Sequence, residues 1–66
     1  MTPTHALVSD ITPNRCTIVC VGSEDDCREA ATDDRQQVLP LDPEIAVPEE
    51  GTRGWISRET GMVWGK

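Results

Sequence analysis

The C-terminal segment carries every aromatic side chain of the chain and predicts a β-hairpin. Two apolar runs, one ending at Ile56 and one beginning at Met62, flank the sequence Arg-Glu-Thr-Gly. Gly61 is suited to the left-handed conformation that closes such a loop. Depending on the loop length, Trp64 lies opposite Trp55 or opposite Ile56, and either pairing makes a large cross-strand contact.

The aromatic content limits how the core can be built. The chain has two Trp and no Phe or Tyr among its 66 residues, and a domain of about 60 residues buries only about 60% of the surface of its unfolded chain. Trp55 and Trp64 therefore either anchor a small core or form a recognition surface. Since few other large side chains are available, we expect them to belong to the core.

Two stretches near the N-terminus predict a second hairpin. The strand candidates span residues 6–11 and 16–21, and the sequence Thr-Pro-Asn-Arg between them is typical of a turn. Apolar residues occupy both faces of the second strand: Cys16, Ile18 and Cys20 on one, Val19 and Val21 on the other. We therefore expect a central strand covered on both sides.

A helix is predicted after the second strand, from Glu24 to Gln37. Ser23 is a favourable N-cap, and acidic residues fill the first turn. A rotation of about 100° per residue separates a contact side from a solvent side. The contact side comprises Cys27, Ala30, Ala31 and Val38, and the solvent side comprises Asp25, Asp26, Glu29 and Asp33. Asp34 falls on the contact side, which is otherwise apolar.

The prolines of residues 38–48 exclude a helix there. We expect an extended connection with a short edge strand at Glu44–Val47. Together these elements predict a single small α+β domain over residues 1–66. Its antiparallel sheet consists of two hairpins, with three to five strands in all, and one short helix covers one face.

The charge of the chain is negative and unevenly distributed. The net charge is −6, yet residues 23–50 hold ten carboxylates against two arginines, a net −8, and residues 51–66 have a net charge of +2. Direct binding to nucleic acid requires a basic footprint, so we do not expect it. The acids serve solubility or bind a basic protein. The candidate partner-binding residues are Asp25, Asp26, Glu29, Asp33, Asp42, Glu44, Glu49 and Glu50.

Cys16, Cys20, Cys27 and His5 are the candidate zinc ligands. Thiolate and imidazole are the usual ligands of structural zinc. Cys16 and Cys20, however, lie four residues apart on a predicted strand, which separates them by about 13 Å. We therefore expect no metal or other cofactor and interpret the cysteines as reduced thiols that act as small hydrophobic side chains.

The chain shows no catalytic signature, and we do not expect an enzyme. Nothing in the sequence orients a base toward a nucleophile, and a chain of this size has difficulty forming a pocket of about 300 Å³. The N-terminus lacks the features of a secretory signal, and no apolar stretch approaches the roughly 20 residues that span a bilayer. We expect a soluble cytoplasmic protein that is a monomer or a weak homodimer.

In its size, its acidity and its lack of catalytic residues, the chain resembles the small acidic inhibitors that phages and mobile elements encode against host defence, such as anti-CRISPR and anti-restriction proteins. The resemblance lies in the charge pattern of the eight acidic residues named above and not in a sequence motif. It implies an inhibitor that blocks a nucleic-acid-binding groove as a DNA mimic or locks an effector complex. Its partner is then a basic host protein or a nucleoprotein effector.

The alternative function is that of a small structural or assembly subunit. Such a subunit docks through the C-terminal hairpin, with Trp55, Ile56, Met62 and Trp64 as its contact residues. The exposure of the indoles distinguishes the two functions, because buried indoles count against docking and exposed indoles favour it.

Overall fold

The computed structural model describes residues 2–42, 44–45 and 47–65. It contains, in chain order, β1 (His5–Ser9), β2 (Arg15–Gly22), α1 (Glu24–Ala30), β3 (Gln37–Pro40), β4 (Arg53–Ile56) and β5 (Val63–Trp64). The strands form one sheet in the order β3-β1-β2-β4-β5, and all neighbours are antiparallel. The predicted small α+β class, with an antiparallel sheet and one short helix, is confirmed.

The sheet curls until its two edges meet. Leu41, directly after β3, forms a parallel bridge with Val63 of β5, and the Asp42 N–H donates to the Val63 carbonyl at 3.0 Å. The concave side encloses a core of small and aliphatic side chains: Ala6, Val8, Cys16, Ile18, Leu41 and Val63, with Val21, Leu39 and Ile56 packed against them. We call this side the inner face and the opposite side the outer face.

A β-bulge in β2 reverses the facing of its second half. Val8 lies opposite Ile18, but Leu7 lies opposite Cys20, which leaves Val19 as the extra residue. An extra residue shifts the alternation of a strand by one. Cys20 therefore lies on the outer face with Leu7, whereas Ile18 is in the inner core. The predicted grouping of Cys20 with Ile18 on one face is wrong for this reason.

The helix is shorter than predicted, because α1 ends at Ala30 and not at residue 37. Side-chain oxygens of the following residues accept hydrogen bonds from backbone N–H groups that a longer helix would use. The Thr32 N–H donates to Gln36 Oε1 at 2.8 Å. The Arg35 N–H donates to Asp33 Oδ1 at 2.9 Å. Such local bonds compete with helical ones, and the chain turns back to place β3 beside β1.

The start of the helix follows the sequence closely. The Asp26 N–H donates to Ser23 Oγ at 3.1 Å, as in an N-cap. From there α1 packs on the outer face against β1, β2 and β3. Cys27 is its buried residue, and it forms a second, smaller packing layer with Leu7 and Cys20 of the sheet.

The proline-containing segment holds a strand at a different place from the predicted one. Glu44 and Ile45 lie in a turn and a bend, and Val47 belongs to no strand, while Ala46 lies outside the described residues. The Glu44 N–H donates to Asp42 Oδ1 at 2.9 Å, which stabilises the turn. The strand is instead β3, an edge strand that ends on Pro40 and that the scheme of two hairpins does not include.

β4 and β5 pair around a loop that ends at Gly61. The Ser57 N–H donates to the Met62 carbonyl, and the Gly61 N–H donates to the Ser57 carbonyl, both at 2.9 Å. Gly61 has a φ of 72°, the left-handed conformation predicted for it. Trp64 lies opposite Trp55, which decides between the two registers considered above.

Candidate protein-binding surfaces

The outer face carries a row of three side chains across β2, β4 and β5. Arg15 lies opposite Trp55, and Trp55 lies opposite Trp64. The two indole rings are stacked, with centroids 6.5 Å apart and planes inclined by 16°. The guanidinium carbon of Arg15 lies 4.3 Å from the centre of the Trp55 ring, a cation–π contact. We call these three residues the Arg-Trp ladder.

The ladder lies outside the core. Cys16 and Gly54 are paired and buried on the inner face, so their neighbours Arg15 and Trp55 point to the outer face. Both indoles are half-buried and neither belongs to the core cluster. The expectation that the tryptophans anchor the core is therefore wrong, because strand alternation gives the inner positions of β4 and β5 to smaller residues.

The guanidinium of Arg15 has no anionic partner in the described part of the chain. Both ion pairs found there involve Glu24, which contacts His5 at 3.5 Å and Arg28 at 3.4 Å. Arg15 Nε is buried and has no hydrogen-bond partner among the described residues. The Arg-Trp ladder therefore contains a polar group whose hydrogen-bonding capacity is not filled by the fold.

A second guanidinium flanks the ladder. Arg53 of β4 lies opposite Thr17 of β2, two residues from Trp55 on the same face. Burial raises the pKa of the Cys16 thiol, and the positive charges of Arg53 and Arg15 act in the opposite direction. Both charges are thus close enough to influence one buried group between them.

The acidic residues of α1 form a surface with little internal pairing. Asp25, Asp26 and Glu29 are exposed on the helix, and Asp33 is exposed in the turn that follows. We call these four residues the acidic surface. The predicted helical stripe of four acids is wrong in one respect, since Asp33 lies beyond the end of the helix.

The remaining candidate acids lie on the connection between β3 and β4. Asp42 is half-buried and accepts the N–H of Glu44 through its carboxylate. Glu49 and Glu50 are exposed before the turn at Gly51, where the Glu49 carbonyl accepts the Thr52 hydroxyl at 2.6 Å. These four acids belong to the connection between β3 and β4, whereas the acidic surface belongs to α1 and the turn after it.

The cysteines are divided between the two faces of the sheet. Cys16 is in the inner core, whereas Cys20 and Cys27 lie between the outer face and α1. Burial raises the pKa of the Cys27 thiol to about 11, and the neighbouring Cys20 adds to this effect. His5 pairs with Glu24. No group of three metal-ligating side chains converges within residues 2–42, 44–45 and 47–65.

An open cleft of about 520 Å³ lies beside the end of β1. The expectation that a chain of this size has difficulty forming a pocket is therefore wrong. Its lining is mainly polar and contains neither Cys nor His: Ser9, Asp10, Ile11, Asp33, Arg35, Gln36 and Gln37. Gln36 Oε1 and Asp33 Oδ1 already accept hydrogen bonds from backbone N–H groups of the turn after α1.

Comparison of the chain with protein-family models, with curated proteins and with solved structures finds no match. No helix of the described residues is long and apolar enough to cross a membrane. The acidic surface and the Arg-Trp ladder are therefore the features on which a function can be argued.

Proposed function

We propose that this chain is a non-enzymatic binding protein whose acidic surface inhibits a basic, nucleic-acid-handling protein, in the manner of anti-CRISPR and anti-restriction proteins. The observation that carries the proposal is the exposure of Asp25, Asp26, Glu29 and Asp33. Such an inhibitor acts in the cytoplasm, needs no cofactor, and contacts neither nucleic acid nor membrane directly. It acts as a monomer or a weak homodimer.

The arrangement of these acids goes beyond what helix stability requires. Carboxylates in the first turn interact favourably with the helix dipole, which accounts for Asp25 and Asp26. It does not account for Glu29, which is one turn from both and is repelled by them at a cost of a few tenths of a kcal/mol. Carboxylates about 5–6 Å apart approximate the charge density of a phosphate backbone to within a factor of about two. A basic groove that binds nucleic acid is therefore complementary to this surface.

The experiment compares two triple variants with the same change in net charge. One neutralises Asp26, Glu29 and Asp33 with Asn or Gln, and the control neutralises Asp10, Asp34 and Glu59, exposed acids outside the candidate set, with Asn or Gln. The partner is a basic host protein isolated with the chain from its native cell. Affinity is measured at about 50 mM and about 200 mM salt, with and without competing nucleic acid.

We expect the first variant to lose at least about tenfold in affinity at low salt and the control to lose less than about threefold. Nucleic acid should compete with the unmodified chain for the partner. Equal losses of affinity in both variants would mean that the partner responds to the net charge of the chain and not to the position of its acids. An unchanged affinity of the first variant would show that Asp26, Glu29 and Asp33 face the solvent and do not contact the partner.

The alternative function, an assembly or accessory subunit, is favoured by a separate observation. The indoles of Trp55 and Trp64 are half-buried on the outer face, outside the core. A stacked pair of indoles that keeps part of its surface accessible is typical of a contact surface. Replacement of Trp64 by Leu should then abolish incorporation into the assembly while the urea midpoint changes little, because Leu retains apolar area at the same position.

A further inference from the structure

We infer that the Arg-Trp ladder is a binding site for an acidic segment of a partner protein, with a carboxylate of that segment on Arg15 and its apolar side chains on Trp55 and Trp64. The inference rests on the alternative function proposed above, docking through the C-terminal hairpin, and it names the chemistry of the partner. It does not depend on the acidic surface of α1.

The first argument is the unfilled hydrogen-bonding capacity of Arg15. A guanidinium offers five N–H donors in a planar fork, which matches a carboxylate in two parallel bonds. In the described residues this group has no ion-pair partner, and its Nε is buried without an acceptor. The cation–π contact with Trp55 holds the guanidinium carbon 4.3 Å from the ring centre. Because Nε itself is buried, a ligand carboxylate binds the two Nη groups at the end of the fork, which the contact with Trp55 already positions.

The second argument is the sign of the surrounding charge. Arg53 lies on the same face as Arg15, and Arg58 is exposed in the loop between β4 and β5. Glu59 is the acid of that loop, and Asp10, at the end of β1, accepts the Thr17 hydroxyl at 3.5 Å. Arg15 and Arg53 thus place two positive charges on the face that carries the indoles, so an acidic ligand is complementary to it.

The third argument concerns the length of the ligand. Charges separated by more than about 8 Å are largely screened at physiological salt, so a carboxylate on Arg15 is affected mainly by the neighbouring arginines. A nucleic acid extends its charge much further and meets the acids that give the chain its net charge of −6. A short acidic peptide segment can place a carboxylate on the guanidinium of Arg15 and its apolar side chains on the two indoles.

The test uses the two tryptophans as the reporter. Because the chain has no other aromatic residues, its tryptophan emission reports on the ladder alone. The probes are two blocked peptides of equal length and without aromatic residues, one of alternating Glu and Leu and one of alternating Lys and Leu. They are titrated into the unmodified chain and into Arg15→Gln, Arg15→Lys and Arg28→Gln at physiological salt.

The glutamate peptide should change the emission in a saturable manner, and the lysine peptide should bind at least about tenfold more weakly. Arg15→Gln should lose about tenfold in affinity for the glutamate peptide. The affinity of Arg15→Lys should lie between those of the unmodified chain and Arg15→Gln. Arg28→Gln is the matched control, since it removes one positive charge on α1 where Glu24 is the partner, and it should bind as the unmodified chain does. A circular dichroism spectrum of each variant checks that it is folded.

Four results would overturn the inference. Equal binding of both peptides would mean that the indoles recognise apolar side chains without regard to charge. No saturable binding, or an equal effect of Arg15→Gln and Arg28→Gln, would remove the role of the guanidinium. A change of emission with protein concentration alone would identify a second copy of the chain as the occupant. If these occur while Trp64→Leu still loses the assembly, docking stands and only the acidic ligand is rejected.

Discussion

Replacement of Gly54 by Ala tests how tightly the sheet closes around its core. Gly54 is buried on the inner face of β4, opposite Cys16. A Cβ at this position would lie 2.8 Å from Ile18 Cδ1 and 3.2 Å from the Trp64 carbonyl oxygen. Ile18 is itself fully buried, so its terminal methyl group has little room to move away.

The expected magnitude follows from two opposing effects. An extra methyl group in a packed core costs about 1–3 kcal/mol, whereas the smaller conformational freedom of Ala in the unfolded chain returns about 0.4–1 kcal/mol. We expect a net loss of about 1–2 kcal/mol. Ile18→Val deletes the Cδ1 methyl and costs about 0.5–1.5 kcal/mol by itself. In the Ile18→Val background Gly54→Ala should cost about 1 kcal/mol less.

The assay is urea unfolding followed by tryptophan emission, for both single variants and the double variant, with sulfate added to all samples if the single variants are too unstable. Gly61→Ala is the matched control. Gly61 has a φ of 72° and no atom within 4 Å of an added Cβ, and its N–H bonds to Ser57, so its cost comes from the backbone and should not depend on Ile18. Additivity of Gly54→Ala and Ile18→Val within about 0.3–0.5 kcal/mol would refute the packing argument.

Other substitutions test the helix cap, the hairpin loop and a buried thiol. Ser23→Ala should lower the free energy of unfolding by about 1 kcal/mol through loss of the bond to Asp26, measured by urea unfolding, with Ser23→Asp close to the unmodified chain. Gly61→Ala should cost about 1–2 kcal/mol because of its positive φ, and Gly61→Asn less, since Asn tolerates that conformation. The pKa of Cys27 is raised to about 11 from 9.0, so the stability due to its neutral thiol is complete below pH 9 and lost as the pH approaches 11. The urea midpoint should fall over this range and fall less in Cys27→Ala.

Local sequence signals predicted the features that depend on neighbouring residues. Ser23 caps the helix and Gly61 takes the left-handed conformation, because each depends on a few adjacent residues. The helix end was missed since Asp33 and Gln36 bond to nearby backbone groups, a competition that hydrophobic periodicity does not describe. Side chains that hydrogen-bond locally were therefore helpful at the start of the helix and misleading at its end.

The facing of the strands depends on distant pairing, and this is where prediction failed. The bulge at Val19 arises from the register of β2 against β1, and nothing in the local sequence marks it. The outward position of Trp55 follows from Gly54 facing the core, where a larger residue contacts Ile18. A glycine directly before a tryptophan in a strand was the available signal, since such a glycine often marks close approach of another part of the chain.

The length of β2 separates α1 from the Arg-Trp ladder. Arg15 occupies the outer face at the start of β2, and α1 begins at Glu24, two residues after the last residue of β2, Gly22. Seven residues of extended strand span about 23 Å, close to three Debye lengths at physiological salt. The acids of α1 therefore act only weakly on the ladder, whereas Asp33 lines the same cleft as Asp10, whose carboxylate accepts the hydroxyl of Thr17 opposite Arg53. Neutralising Asp26 and Glu29 together should leave peptide binding at the ladder unchanged, and a change in that affinity would show that α1 and the ladder are coupled.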